Sequence, residues 1–510
     1  MQVHVGAKRP RAALPAGGAR LYRPAMLATR VGTARRARRC AHWAFLIAAA
    51  AALGCGDAST GPARGVAGPV GALGHTGRWL TDETGRVVVL HGVNFVQKFP
   101  PIAPAAVGFD ADDAAFLRRN GFDVVRLGVV FGAVMPSPGE IDRAYVDSIA
   151  ETTRVLAREE IYVLLDFHQD GYGPLVHGNG FPEWATLTDG LPNPPDPFPT
   201  YYVTNPALQR AFDNFWENRP GPDGVPLQTH YATALREVAA AVASEPHVLG
   251  YDLMNEPWPG ATFSTCLTGC PDIEVARLVP FGERMTAAIR EVDARSFVFS
   301  EPFVLFNFGQ GDTTLSGIGA PASGLSYHVY ATSPALDEAV MDRAIAASAR
   351  GDALLATEFG ATTDAATIRR LTSAFDVRLL PWVFWSYDEN LVVDKAMPPE
   401  GANVRAGVLD ALVRPYATAT NGTPAAFAYD PADGRLDISW STLRPDGSPA
   451  PRDLVTTVAM PPTAFGEGYA AEVVGGEVVS EPCAPVLAVR NAAGARSVDV
   501  HATRTAACAR

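Results

Sequence analysis

The chain has 510 residues, 47% hydrophobic and 19% charged, which excludes a disordered or collagen-like protein. Its most continuous apolar stretch, Trp43–Leu53, falls short of the ~20 residues of a spanning helix, so a polytopic membrane protein is excluded as well. Residues 1–54 carry ten Lys/Arg and no Asp/Glu, leaving 32 basic and 54 acidic side chains and a net charge of −22 in the remainder. Such an acidic body repels phosphate backbones, and no nucleic-acid partner is expected.

At the amino end, the basic cluster Arg35-Arg36-Ala37-Arg38-Arg39 precedes the apolar run, and Ala52-Leu53-Gly54-Cys55 follows. This is the layout of a secretory signal over residues 1–54. A Cys directly after a small residue also resembles a bacterial lipoprotein box. Two outcomes are open: a cell-envelope lipoprotein with lipid on Cys55 and hence membrane attachment, or plain secretion with cleavage near that residue. Residues 55–72, small and rich in Gly and Pro, read as a flexible tether. The four other cysteines outside the signal fall into two local groups, and the simplest pairing is Cys266 with Cys270 and Cys483 with Cys508. Half a metal site at Cys266 and Cys270 lacks a matching His or Cys pair.

From residue 73 strands and helices alternate. Val87–Leu90 is a β-branched run ending in His91-Gly92-Val93-Asn94, followed by a helix capped by Asp110 and ended at Gly121. Strand 124–127 and helix 141–160 come next. Strand 162–165 ends in Asp166-Phe167-His168-Gln169-Asp170. Helix 230–244 precedes strand 248–254, which ends in Asn255-Glu256-Pro257, and helix 273–292 precedes strand 297–299. Strand 325–329 ends at Tyr330. Helix 335–349 leads to strand 354–357 and Glu358, and helix 365–375 to strand 379–385. Eight near-continuous apolar strands between amphipathic helices predict a parallel (β/α)8 barrel over residues 73–415. Polar residues gather at the strand C-termini, the face on which barrel enzymes carry their sites. From residue 416 helical periodicity stops. Short alternating strands separated by Asp433-Gly434 and Gly475-Gly476 predict a β-sandwich over 416–510.

Two strand-end carboxylates, Glu256 and Glu358, suit glycoside hydrolysis, in which one acid protonates the departing oxygen and one carboxylate meets the cation-like sugar carbon. Glu301, in Ser300-Glu301-Pro302, competes for either place. No nucleophile-elbow Ser, His-Glu-x-x-His or phosphate-binding Gly loop is present. The proposed chemistry needs neither cofactor nor metal, and a monomer is expected.

Asp252-Leu253-Met254-Asn255-Glu256-Pro257 and Thr357-Glu358-Phe359-Gly360 resemble the signature segments of glycoside hydrolase family 5, a retaining barrel family. His91-Gly92-Val93-Asn94 with Lys98-Phe99-Pro100-Pro101, the segment 165–170, Gly180–Trp184 and Gly250–Gly260 resemble its endoglycoceramidase branch. The resemblance implies Glu256 as acid/base and Glu358 as nucleophile. Asn255 would bond the sugar 2-hydroxyl, and Arg126, His328 and Tyr330 would surround Glu358, Arg126 holding its pKa low. Trp385 would form the sugar's stacking floor, while Lys98, His168 and Asp170 would hold hydroxyls. The implied reaction is hydrolysis between oligosaccharide and ceramide in glycosphingolipids. A β-glucanase or mannanase acting on soluble polysaccharide, and a non-catalytic carbohydrate- or lipid-binding lipoprotein, are the alternatives. Val329 and the acidic run after Trp385 depart from the family pattern and leave the sugar preference open. The insertion 171–228, with Phe181, Trp184, Phe198, Tyr201, Tyr202, Phe215 and Trp216, is read either as the apolar wall of a cleft or as packing against the barrel. The segment Phe303–Phe308 is a second candidate wall.

Overall fold

A computed structural model describes residues 68–508. The signal segment, Cys55 and most of the tether lie outside the described residues. Eight parallel strands close into a barrel. We number them β1 (His91–Phe95), β2 (Val124–Val129), β3 (Tyr162–Phe167), β4 (Val248–Asp252), β5 (Phe297–Ser300), β6 (Ser323–Val329), β7 (Ala353–Phe359) and β8 (Trp382–Phe384). All residues of these strands are buried, as expected for a sheet filled on the inside and covered by helices outside. Glycines permit the tightest strand contacts. A Cβ on Gly92 would lie 1.8 Å from the Val124 carbonyl oxygen, and one on Gly250 would lie 2.1 Å from that of Phe297.

Local chemistry sets the helix starts. Asp110 and Asp113 form a reciprocal capping box on helix Ala111–Arg119, and Asp142, Ser333 and Asp364 cap the helices that follow them. The insertion is not structureless. It contains helix Pro206–Trp216, with Asn205 accepting from the Leu208 N–H and Pro206 in its first turn, a start signal present in the sequence.

The first apolar run is divided differently from the sequence reading. Val87–Val88 is an antiparallel strand pairing with Tyr416–Thr420 of the C-terminal region, and only from His91 does the chain enter the barrel. Strands Gly74–Thr76 and Trp79–Thr81 also join that C-terminal sheet. Ahead of them, Val70 and Ala72 donate backbone N–H groups to Asp82 and Glu83, so the end of the tether segment is bonded to the domain. The sandwich consists of this seven-stranded sheet facing a four-stranded one (Thr423–Asp430, Arg435–Ser441, Ser497–Arg504, Tyr469–Val474). Leu436, Trp440, Val458, Leu487 and Val500 form its core. Cys266 is bonded to Cys270 and Cys483 to Cys508. Among the described residues no helix is long and apolar enough to cross a membrane.

Candidate active site

At the C-terminal mouth of the barrel lies a cleft of about 400 Å³ lined by Lys98, Asp170, Glu256, Tyr330, Glu358, Trp385, Glu389 and, toward the rim, Phe198 and Phe308. Arg126 of β2, fully buried beneath it, is the hub. Its guanidinium donates to Asn94 (3.2 Å), Asp252 (3.0 Å), Asn255 (2.9 Å) and Glu358 (2.7 Å), and contacts Asp166 at 2.9 Å. Barrel register explains the convergence. Asn94 is paired with Arg126, and Asp166 with Asp252, at matching heights on neighbouring strands.

The two signature carboxylates meet at one imidazole. His328 Nδ1 lies 3.0 Å from Glu256 Oε1 and 3.6 Å from Glu358 Oε2. Laid end to end, these distances reach only the lower edge of the ~6.5–9.5 Å of an inverting pair, and they accommodate the ~5–5.5 Å of a retaining pair. Tyr330 donates its hydroxyl to Glu358 Oε2 at 3.0 Å. Arg126 therefore holds one oxygen of Glu358 and Tyr330 the other. Among the described residues no Arg or Lys pairs with Glu256 in this way.

This asymmetry appears in the electrostatics. Burial, with the charge of Asp170 adding to it, pushes the Glu256 carboxyl up to about 7. Burial also raises Glu358, while His328 and Arg126 pull it back. Burial outweighs the cation in the net shift, while Arg126 itself acts in the expected, lowering direction. Burial takes His328 down to about 3, so the ring is held neutral between the two carboxyls.

The other predicted residues fall as follows. Asn255 accepts from Arg126 through Oδ1 and donates one amide hydrogen to the Gln169 carbonyl, which leaves its second for a ligand. Lys98 pairs with Asp170 at 2.6 Å and sits 4.3 Å above the Trp385 ring. His168 bridges Asp166 and Asp170 and stacks on Trp385. Burial alone would lower His168, but Asp166 and Asp170 outweigh it and push it up to about 9. Lys98 and His168 hold Asp170 well below the carboxylate range against the opposing effect of burial. Trp385 donates its indole N–H to Glu389.

Glu301 does not pair with either carboxylate as a catalytic partner would. Its oxygens accept from the Glu256 backbone N–H (2.8 Å) and from Asn307 (2.7 Å). Glu256, Glu301 and His328 bring possible ligand atoms within 4.8 Å of one another; both oxygens of Glu301 already accept hydrogen bonds, and His328 Nδ1 is engaged with Glu256. The insertion's aromatics are largely core. Phe181, Tyr201, Tyr202, Phe215 and Trp216 are buried, and Phe198 alone of the seven lines the cleft, 60% exposed. Phe303, Val304 and Phe306 are likewise buried, and only Phe308 of that segment reaches the cleft. Sequence reasoning gave no role to Asp166, Gln169, Asp252 or Asn307. The available signal was the pair of aspartates at equivalent ends of adjacent strands.

The barrel, the sandwich and the paired carboxylates define a glycoside hydrolase, and the chain belongs to glycosyl hydrolase family 5. The family's cellulase model matches residues 82–391, and the family 5 C-terminal domain model matches 414–502. The chain is 31% identical to endoglycoceramidase I of Rhodococcus hoagii (strain 103S) over 82% of this chain and 86% of the relative. It is 27% identical to the endoglycoceramidase of Cyanea nozakii over 71% of this chain and 79% of that one. Endo-glycoceramidase II from Rhodococcus sp. in its ganglioside GM3 complex superposes with a TM-score of 0.68, at 28% identity, over 84% of this chain and 100% of that one.

Proposed function

We propose that the enzyme hydrolyses the β-glycosidic bond between oligosaccharide and ceramide in glycosphingolipids, with retention at the sugar carbon. The observation that carries this reading is the meeting of Glu256 and Glu358 on one His328 nitrogen, which accommodates the ~5–5.5 Å spacing of a nucleophile and an acid. Glu358, aimed by Arg126 and Tyr330, attacks the anomeric carbon. A bond forms from its carboxylate oxygen as the bond to the departing oxygen breaks, and Glu256 delivers its proton to that oxygen. Glu256, now ionised, takes a proton from water, whose oxygen displaces Glu358. A carboxyl near 7 is suited to both duties. Asn255 would bond the 2-hydroxyl, Trp385 would stack against the ring, and Lys98, His168 and Asp170 would fix further hydroxyls.

Kinship with endoglycoceramidases, one of them in complex with a ganglioside, and the apolar rim of Phe198 and Phe308 support a lipid-linked aglycone. We further propose export with attachment through Cys55, to be tested by release of Cys55→Ala from the membrane fraction. The decisive experiment for the function offers gangliosides, galactosylceramide, glucosylceramide and soluble cellulose derivatives and separates the products. Intact oligosaccharide plus ceramide is the expected result, abolished in Glu358→Ala. Cleavage confined to soluble glucans would select the polysaccharide reading, and binding without turnover the non-catalytic one.

A further inference from the structure

We propose that Glu301 and Asn307 are positioning residues that hold the proton donor Glu256 toward its leaving-group oxygen, so that they govern departure of a poor leaving group rather than attack at the sugar. This rests on the reading of Glu256 as acid.

The argument begins at the Glu256 backbone, whose φ of 44° lies in the left-handed region. For a non-glycine residue that conformation is strained and persists where surrounding contacts over-determine it. Two side chains do so here. Glu301 Oε2 accepts the Glu256 N–H at 2.8 Å, and Gln169 Nε2 donates to the Glu256 carbonyl at 3.0 Å. Glu301 is in turn fixed by Asn307, whose Nδ2 donates to Oε1 at 2.7 Å. Asn307 stands on the short 3-10 turn Val304–Phe308 and has no exposed surface. Its Oδ1 accepts the His328 N–H at 2.9 Å, and its carbonyl accepts the Tyr330 N–H at 3.1 Å. One residue therefore ties His328, at the end of β6, and Tyr330, just beyond it, to the carboxyl that supports Glu256.

Neither Glu301 nor Asn307 lines the cleft, so neither is placed to touch substrate. Their route to the chemistry is through Glu256 and His328. Among the described residues His328 Nε2 has no hydrogen-bond partner and faces Glu301 Oε1 at 3.6 Å, which places Glu301 behind the ring whose other nitrogen contacts Glu256. Burial, with the nearby Glu256 charge adding, raises Glu301 well above the carboxylate range, as befits a group kept for hydrogen bonding.

The consequence is selective. Ceramide leaves as a basic alkoxide and needs the proton of Glu256, whereas 2,4-dinitrophenolate leaves without one. A positioned acid contributes ~10²–10⁴-fold, so misplacing it should cost a substantial part of that for one substrate and little for the other. The test measures kcat and KM of Glu301→Ala, Glu301→Gln, Asn307→Ala and the reference Glu256→Gln on lactosylceramide. The same proteins are assayed for the pre-steady-state burst on 2,4-dinitrophenyl β-lactoside.

Glu301→Ala should lose at least ~30-fold in kcat on the glycolipid with KM within about threefold, and its burst rate should fall by less than about threefold. Glu301→Gln, which keeps an oxygen for the Glu256 N–H, should recover part of the loss. If Glu301→Ala does not fold, Glu301→Gln and Asn307→Ala decide by the same pair of substrates. Equal losses on both substrates, or no loss on the glycolipid, would overturn the inference provided Glu256→Gln shows the selective pattern. If Glu256→Gln itself lacks that pattern, the acid assignment fails first and the inference falls with it.

Discussion

Replacing Arg126 by Met isolates what the buried hub contributes. Arg126 and its partners Asp166 and Asp252 have fully buried side chains, and that of Glu358 is 6% exposed. Removing one partner of a buried ion pair costs ~3–5 kcal/mol because the remaining charge is left uncompensated. Against the ~5–15 kcal/mol stability of folded proteins, R126M should remain folded but be strongly weakened. The effect depends on pH with a definite sign. Burial raises Asp252 to about 6 and also raises Glu358, with Arg126 opposing both, so without Arg126 both carboxyls rise further. The folded variant then binds more protons than the folded wild type over the intermediate range, while the unfolded chains bind equally. Its deficit therefore grows as pH rises through 6 and shrinks on acidification. Thermal unfolding of both proteins at pH 5 and pH 8 measures it. A gap equal at the two pH values, or below about 1 kcal/mol, would refute the argument that charge compensation holds this centre together.

Other outcomes follow from the same geometry. As Glu256 must be protonated to act as an acid and burial places it near 7, kcat/KM should fall above pH 7. Asp170→Asn removes a charge that raises Glu256, so this alkaline limb should move to lower pH; an unmoved limb would assign it to another group. Tyr330→Phe deletes the 3.0 Å hydrogen bond to Glu358. At up to ~1.5–3 kcal/mol for a bond to a charged group, kcat should drop by up to roughly 10- to 150-fold and the melting temperature should fall as well, and a loss in kcat below threefold would remove Tyr330 from the nucleophile's support. Phe198→Ala should raise KM for ceramide-linked substrates and leave that for a soluble aryl lactoside unaltered; equal changes would show that the rim does not meet the lipid.

The barrel was legible because each β/α unit states itself locally, with caps such as Asp110 and Asp142 preceding amphipathic helices. The meeting of Glu256 and Glu358 was legible as motifs. Their support was not. Gln169 and Asn307 act through partners on other elements, and nothing near them in the chain announces those partners. Aromatic content could not separate wall from core in the insertion, since Phe198 and Phe215 look alike until their neighbours are known. The run from Val87 to Leu90 concealed a change of sheet, because the partner of Val88 is Ala419.

That pairing has a consequence for biosynthesis. On the ribosome, the hairpin that opens the folded body must wait for its neighbouring strand while the whole barrel is translated, on the order of tens of seconds at ~5–20 residues per second. Until Tyr416–Thr420 emerges, Val87 and Val88 present an uncovered edge to everything around them. A strand made after the barrel therefore seals one made before it, and a nascent chain stalled within the barrel would be left with its seam open.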